Sequence, residues 1–230
     1  MDAAPTYERT RARVEDYFDR TATRTWERLT SDAPVSGIRA TVRAGRDRMR
    51  DVMLAQVPGD LRGARVLDAG CGTGAMAVAL AERGADVVAI DISPALIDIA
   101  QKRCPAEVRS RITFRAGDML MPELGDFDYA LAMDSMIYYG AGDIAGCLDR
   151  IAPRLANSFV FTLAPRTPLL MAMWRVGQMF PRSDRSPTMV PHNLRGIERA
   201  MHAADVAGTL RAVERVNSGF YISSALEFRP

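Results

Sequence analysis

The residues with the strongest chemical signature stand in one short run, Asp68-Ala69-Gly70-Cys71-Gly72-Thr73-Gly74. Glycines at every second position let a backbone turn sharply and come close to a ligand. The run follows a strand-like stretch (RVLDAG, 65–70) and opens a helical pattern over 75–82, so it reads as a strand-to-helix turn. Two acids end the next strand-like stretches. Asp91 closes ADVVAID (85–91), and Asp118 closes RITFRAGD (111–118) directly after Gly117. In an open α/β sheet the ligand crevice lies beyond the carboxyl ends of the strands. There Asp91 can accept both hydroxyls of a ribose and Asp118 an adenine amino group, with Ile92 and Met119 flanking the purine. The spacing is DxGxGxG and not GxGxxG, so it lacks the pyrophosphate fingerprint of dinucleotide folds. The loop alone would also suit a structural glycine-rich turn or another nucleotide fold. Its agreement in order and spacing with two strand-end acids favours a nucleoside cofactor.

The elements that must position these residues follow from the hydrophobic pattern. Val14, Phe18, Ala22, Trp26 and Leu29 recur every three or four residues, and so do Ile38, Val42, Met49, Met53 and Val57 after a break at Pro34. Two amphipathic helices are predicted there, with arginines and acids nearly balanced on their polar faces. From Arg65 strands and helices alternate. Strands are expected at 65–70, 85–91, 111–118, 127–134 and 158–165, with helices at 75–82, from Pro94 to about Arg103, and at 143–156. Ser93-Pro94 is an N-cap followed by proline at the first helical position. This alternation implies right-handed βαβ units and a parallel sheet covered on both faces. After Pro165 an apolar, Met-rich stretch (168–180) and a proline-punctuated loop (181–192) interrupt the order, which suggests a substrate cover. A helix at about 193–204 and two β-like stretches, 209–216 and 220–228, close the chain, the last two as an antiparallel hairpin on the sheet edge.

Composition narrows the function classes. The chain has 230 residues and 30 basic side chains, of which only Lys102 is lysine, against 28 acids, a net charge of +2. It is Arg-rich without being basic, which disfavours bulk attraction to nucleic acid. The longest apolar run, Ala75 to Ala81, is far short of the roughly 20 residues of a membrane span. The charged N-terminus lacks the apolar core of a signal peptide. Cys71, Cys104 and Cys147 are widely spaced without CxxC, which fits a reducing cytoplasm and gives no metal site.

The loop and its two acids resemble class I S-adenosylmethionine-dependent methyltransferases. The resemblance implies a Rossmann-like α/β fold with a mostly parallel seven-stranded sheet and helices on both faces. It implies S-adenosylmethionine as cofactor, with Gly70, Gly72 and Gly74 against its methionine part, Asp91 on the ribose and Asp118 on the adenine amine. Asp68 fixes the loop, and Cys71 is a small residue that fits it, with no reactivity assigned. The rest of the chain resembles the magnesium-protoporphyrin O-methyltransferases nearly end to end. The matching blocks are VEDYFDRTATRTWERL (14–29), IRATVRAGR (38–46), AMDSMIYY (132–139), LAPRT (163–167), MFPRS (179–183) and His192. The glycine loop is generic to methyltransferases, and the downstream blocks select this family. Many members carry His where Tyr138 stands, Tyr where Thr30 stands and His where Arg46 stands. Tyr138 suggests the bacteriochlorophyll branch.

That family esterifies one propionate of a magnesium porphyrin. A propionate with a pKa near a glutamate's, about 4.3, is already ionised at neutral pH, so no general base is required. What remains is alignment of a carboxylate oxygen with the sulfonium methyl and exclusion of water. The resemblance assigns Tyr138 and His192 to the reacting centre, with packing or capping as the bland alternative for each. It adds Met133 and Arg43 to the cofactor side. Tyr17, Thr30, Arg166, Met171, Trp174, Arg182 and Arg185 are assigned to substrate, the arginines mainly to the propionate that does not react. Met side chains adapt to flat apolar faces, although 168–180 also suits core or dimer contact. Asp134 either touches the cofactor or holds a loop. The expected division is a helical arm over 1–60 covering the site and a cofactor-binding domain over 61–230 with the cap insert at about 166–192. Expected partners are Mg-protoporphyrin IX and, by handover, the porphyrin-binding subunit of magnesium chelatase, in the cytoplasm or at the edge of the photosynthetic membrane. The competing readings are a methyltransferase for a quinone or lipid precursor and a non-catalytic scaffold that keeps the fold.

Overall fold

The first strand, β1 (Arg65–Ala69), runs through the middle of the sheet with Val66, Leu67 and Ala69 fully buried. A computed structural model describes residues 6–19, 37–166 and 189–230 of the chain. Two helices precede β1, α1 (Thr6–Tyr17) and α2 (Gly37–Leu54). After it come α3 (Ala75–Glu82), β2 (Asp86–Asp91), α4 (Pro94–Arg103), β3 (Ile112–Ala116) and β4 (Phe127–Ala132). Then follow α5 (Ala141–Ile151), β5 (Leu155–Leu163), α6 (Leu194–Ala203), β6 (Thr209–Ser218) and β7 (Tyr221–Arg229).

The seven strands form one sheet in the order β3-β2-β1-β4-β5-β7-β6. The pairs from β3 through β5 are parallel, whereas β7 runs antiparallel to both β5 and β6. The direction of growth reverses between β1 and β4, and such a switch point opens a crevice at the carboxyl ends of the strands. Ala69 pairs with Ile90 and Asp91 with Ala116, so the three strand ends that carry Asp68, Asp91 and Asp118 are level. Successive residues of a strand face opposite sides. Val66 and Leu131 pack with Met49 and Met53 of α2 and Leu80 of α3. Leu67 and Ala130 pack with Leu148 of α5 and Ile197 of α6, and this second layer also takes Val14 of α1. Among the described residues no helix is long and apolar enough to cross a membrane.

Several boundaries differ from the pattern reading, each for a local reason. β4 ends at Ala132 instead of reaching 134, because Asp134 adopts φ +58°, which extended backbone does not allow. The helix expected to 156 stops at Ile151. Pro153 has no N–H to continue the helical hydrogen bonds, and Ala152–Arg154, with Pro153 inside it, form a tight 3₁₀ turn from which β5 starts at Leu155. Helix α1 starts at Thr6, eight residues before the periodicity that begins at Val14, and that pattern straddles its end. Ala22, Trp26 and Leu29 lie outside the described residues, as do 167–188 of the Met-rich stretch and its loop. The closing hairpin forms as expected, with β7 inserted between β5 and β6.

Candidate active site

A cavity of about 670 Å³ opens at the switch point, lined by the loop after β1, the ends of β2 to β4, and the inner sides of α1 and α2. All eleven residues expected on the cofactor side line it: Asp68, Gly70, Cys71, Gly72, Gly74, Asp91, Ile92, Asp118, Met119, Met133 and Arg43. Tyr138 lines it too. Lining residues that the sequence did not assign include Tyr7, Phe18, Arg46, Arg50 and Ser135, and Asp134, left open between cofactor contact and holding a loop, lines it as well.

The loop is held from both sides. Gly70 and Cys71 donate their N–H groups to the Ile90 carbonyl, at 2.8 and 3.0 Å. The Asp91 carboxylate accepts from the Gly72 N–H at 2.8 Å and, through its other oxygen, from the Ser93 N–H at 2.9 Å. The two glycines serve different ends. Gly70, at φ +74°, lies against Ser135, and an added Cβ would meet the Ser135 Cβ at 2.4 Å. Gly72, at φ +54°, has nothing within 4 Å of the same position, so it leaves open space on the cavity side.

The acids are poised for a cation. Asp68 is buried, and its Oδ2 has no hydrogen-bond partner. Burial first, then the neighbouring Asp91 charge, pushes its carboxyl up to about 7. Burial likewise raises Asp91 to about 6, against the pull of the Ser93 and Gly72 N–H groups. An orphaned buried carboxylate oxygen, a glycine loop with open space above it, and a second carboxylate whose oxygens each keep a lone pair suit a ligand with an ammonium group and a ribose. S-adenosylmethionine therefore fits these residues.

Asp118 already has company. Its Oδ1 accepts from the Tyr7 hydroxyl at 2.8 Å and from the Leu120 N–H at 2.9 Å, and Arg11 approaches its Oδ2 at 3.8 Å. Tyr7 also stacks on Tyr139, with centroids 4.9 Å apart, so α1 lies over the purine end of the cavity. At the opposite end, Arg46 of α2 pairs with Asp134. The Asp134 Oδ1 accepts from the Tyr221 hydroxyl at 3.0 Å and the Thr162 hydroxyl at 3.3 Å, and its N–H donates to Thr162 at 2.8 Å. Gly45 lets α2 come this close, since a Cβ there would strike the Tyr221 ring at 2.7 Å.

The remaining expected residues divide. Tyr138 is buried, stands edge-on to Phe18 at 6.3 Å, and has a hydroxyl raised by burial and by the Asp134 charge, so it stays neutral. Tyr17 packs edge-on to Phe18 outside the cavity lining. His192 does not line the cavity. Its Nε2 lies 2.8 Å from the Tyr139 carbonyl, its N–H donates to the Ala164 carbonyl, and burial lowers its pKa. Arg166 is exposed and donates its N–H to the His192 carbonyl. Val190 N–H bonds to the Ile137 carbonyl. The chain thus leaves at Arg166 and returns at Met189, its two ends meeting beside the 136–139 turn. Thr30, Met171, Trp174, Arg182 and Arg185 lie outside the described residues. Among the described residues no cluster of His, Cys, Asp and Glu could hold a metal ion.

A model of the magnesium-protoporphyrin IX methyltransferase C-terminus matches residues 132–230, and a general methyltransferase-domain model matches 66–158. A magnesium-protoporphyrin O-methyltransferase of Rhodobacter capsulatus is 57% identical over 225 residues, covering 97% of this chain and 98% of that protein. A crystal structure of a magnesium protoporphyrin IX methyltransferase from Synechocystis PCC 6803 with bound SAH superposes with a TM-score of 0.80 at 27% identity, covering 96% of this chain and 100% of the other. A geranyl diphosphate C-methyltransferase of Streptomyces coelicolor shares only the fold, with a TM-score of 0.64 at 14% identity, 98% of this chain and 97% of that one being covered. The chain belongs to the magnesium-protoporphyrin O-methyltransferase family of S-adenosylmethionine-dependent enzymes.

Proposed function

We infer that this enzyme transfers the methyl group of S-adenosylmethionine to one propionate carboxylate of Mg-protoporphyrin IX, giving the monomethyl ester in bacteriochlorophyll synthesis. The observation that carries the reading is the full-length relationship to the Rhodobacter capsulatus enzyme, combined with a cavity whose acids suit a cationic cofactor and whose α2 wall carries arginines.

The cofactor supplies an electrophilic methyl on a sulfonium. The protein's part is binding and alignment. Asp91 holds the ribose hydroxyls and keeps the loop in place through Gly72. Asp68 offers its unpartnered oxygen to the ammonium group. Asp118 faces the adenine amine, with Ile92 and Met119 on the purine faces, and Arg43 and Met133 close the methionine end. The attacking carboxylate is ionised before it enters, so no side chain has to remove a proton. Tyr138, neutral and at the methyl-transfer end, donates its O–H to orient that carboxylate. Alignment of this kind lowers the barrier by roughly 7–11 kcal/mol. His192 serves the site by fixing the Tyr139 carbonyl beside it. Arg166 and Val190, on either side of residues 167–188, bond to His192 and to Ile137, the neighbour of Tyr138, which supports a role for that segment as porphyrin cover. Helix α1 lies over this site, with Tyr7 its contact on Asp118.

Incubation of the protein with S-adenosylmethionine and Mg-protoporphyrin should produce the monomethyl ester by mass spectrometry. No ester with the porphyrin, alongside turnover of a quinone or lipid precursor, would refute the substrate. The same reading extends to receipt of porphyrin from the magnesium chelatase subunit that carries it, in the cytoplasm at the photosynthetic membrane. Adding that subunit should raise the methylation rate at limiting porphyrin.

A further inference from the structure

We propose that Arg46 positions the reacting carboxylate and that Asp134 balances its charge so that the carboxylate keeps its nucleophilicity. This rests on the carboxyl-methylating function inferred above. Four elements converge on one side chain here. Arg46 comes from α2, Thr162 from β5 and Tyr221 from β7, and all three bond to an Asp134 carboxylate that is only 8% exposed at the end of β4. Asp134 takes φ +58° to reach them. Strained non-glycine backbone of this sort clusters at functional sites. A buried ion pair is often no better for stability than apolar residues of the same volume.

The place is the methyl-transfer end. Arg46, Asp134 and Tyr138 all line the cavity, and Ser135, next to Asp134, touches Gly70 of the cofactor loop. On α2, Arg43, Arg46 and Arg50 are spaced three and four residues apart, so they share one helix face, and all three line the cavity. That face is where an anionic substrate meets cations. A carboxylate that attacks a sulfonium loses its negative charge in the transition state. A bare guanidinium beside it would therefore stabilise the bound substrate more than the transition state and would slow the step. Arg46 escapes that conflict because Asp134 neutralises it at close range while its N–H groups remain a rigid, directional donor set.

The test is the split between binding and turnover. Porphyrin affinity is read by fluorescence quenching with S-adenosylhomocysteine bound, kcat by ester formation, and cofactor affinity by calorimetry. Asp134→Asn leaves a hydrogen-bonding amide but removes the balancing charge. It should tighten porphyrin binding several-fold while lowering kcat by roughly tenfold or more, with S-adenosylhomocysteine affinity within about twofold of wild type. Arg46→Lys keeps the charge and loses the planar donor set, and should weaken porphyrin binding by about tenfold with cofactor affinity unchanged. A purely structural pair would instead lower thermal midpoint, cofactor affinity and porphyrin affinity together. Asp134→Asn that weakens porphyrin binding or leaves kcat within twofold overturns the proposal. So does Arg46→Lys that shifts cofactor affinity as much as porphyrin affinity. If wild-type protein forms no ester, the assigned function fails before this question arises.

Discussion

Asp91 does two jobs with one carboxylate, and each can be measured. It anchors the cofactor loop through Gly72, and in the function proposed above it accepts from the ribose. Asp91→Ala leaves the ribose hydroxyls unpaired and should weaken S-adenosylhomocysteine binding by more than about tenfold in calorimetry. Unchanged affinity would mean the site is misplaced. Protonation gives a second test. With Asp68 raised to about 7 and Asp91 to about 6, both carboxyls are largely protonated in free enzyme at pH 5.5. The ammonium of the ligand favours their charged forms. Cofactor affinity should therefore fall as pH drops from 7.5 to 5.5, and binding at pH 6.5 should release protons, seen as a dependence of the binding heat on buffer ionisation. Affinity independent of pH across that window would count against Asp68 as the ammonium acceptor. The cofactor residues were legible in the sequence because their signal is local, a loop and the residues that end the next two strands. Tyr7 was not, and Asp134 was singled out without its partner Arg46, since the pairings Tyr7–Asp118 and Arg46–Asp134 span 111 and 88 residues and exist only after folding.

At the scale of elements, α1 buries little. Val14 is its one buried side chain among those described, and its polar contacts include Tyr7 and Arg11 on Asp118. Tyr7→Phe removes one part-buried hydrogen bond, worth about 0.5–1.5 kcal/mol. Amide exchange over 6–19 should accelerate while exchange in β1 and β4 stays as it was; equal acceleration throughout would mean that α1 unfolds only with the whole domain. Removing residues 1–30 should leave a folded protein with reduced methyl transfer, and full activity would refute a covering role. Helix α2 differs. Met49 and Met53 are fully buried against the sheet, so it belongs to the core although it also supplies cavity arginines. Periodicity showed the helix over α2, whereas of the first pattern only Val14 falls inside α1, and periodicity could not tell a lid from a core helix, because amphipathicity reports a buried face and not what buries it. The succession of strands and helices from β1 to β5, and their parallel pairing, were read correctly. Element ends were missed where one residue decided them, Asp134 at β4 and Pro153 after α5.

For the molecule as a whole, the buried acids set how stability varies with pH. Asp68 and Asp91 hold protons in the native state up to about pH 7 and 6, whereas in the unfolded chain they release them near pH 3.9. Their contribution is complete below about pH 4 and is lost as pH rises through 6 and 7. Glu227 works in the opposite sense, since its Arg211 and Arg229 partners outweigh burial and lower its pKa, but it is charged in both states above pH 5.5. Ligand-free protein should therefore melt at higher temperature at pH 5.5 than at pH 8, and saturating S-adenosylhomocysteine should shrink that gap. A larger gap in the presence of ligand would show that other groups dominate. The sheet carries one more consequence. Among the described strands β6 pairs only with β7, although it precedes it in the chain. During synthesis on the ribosome β6 therefore emerges with no neighbour to accept it, and the edge of β5 stays open until β7 arrives to join both. Tyr221, the first residue of β7, reaches Asp134 in that same event. A nascent chain halted before Tyr221 should accordingly bind cofactor analogues through the strands already paired while remaining unable to complete methyl transfer.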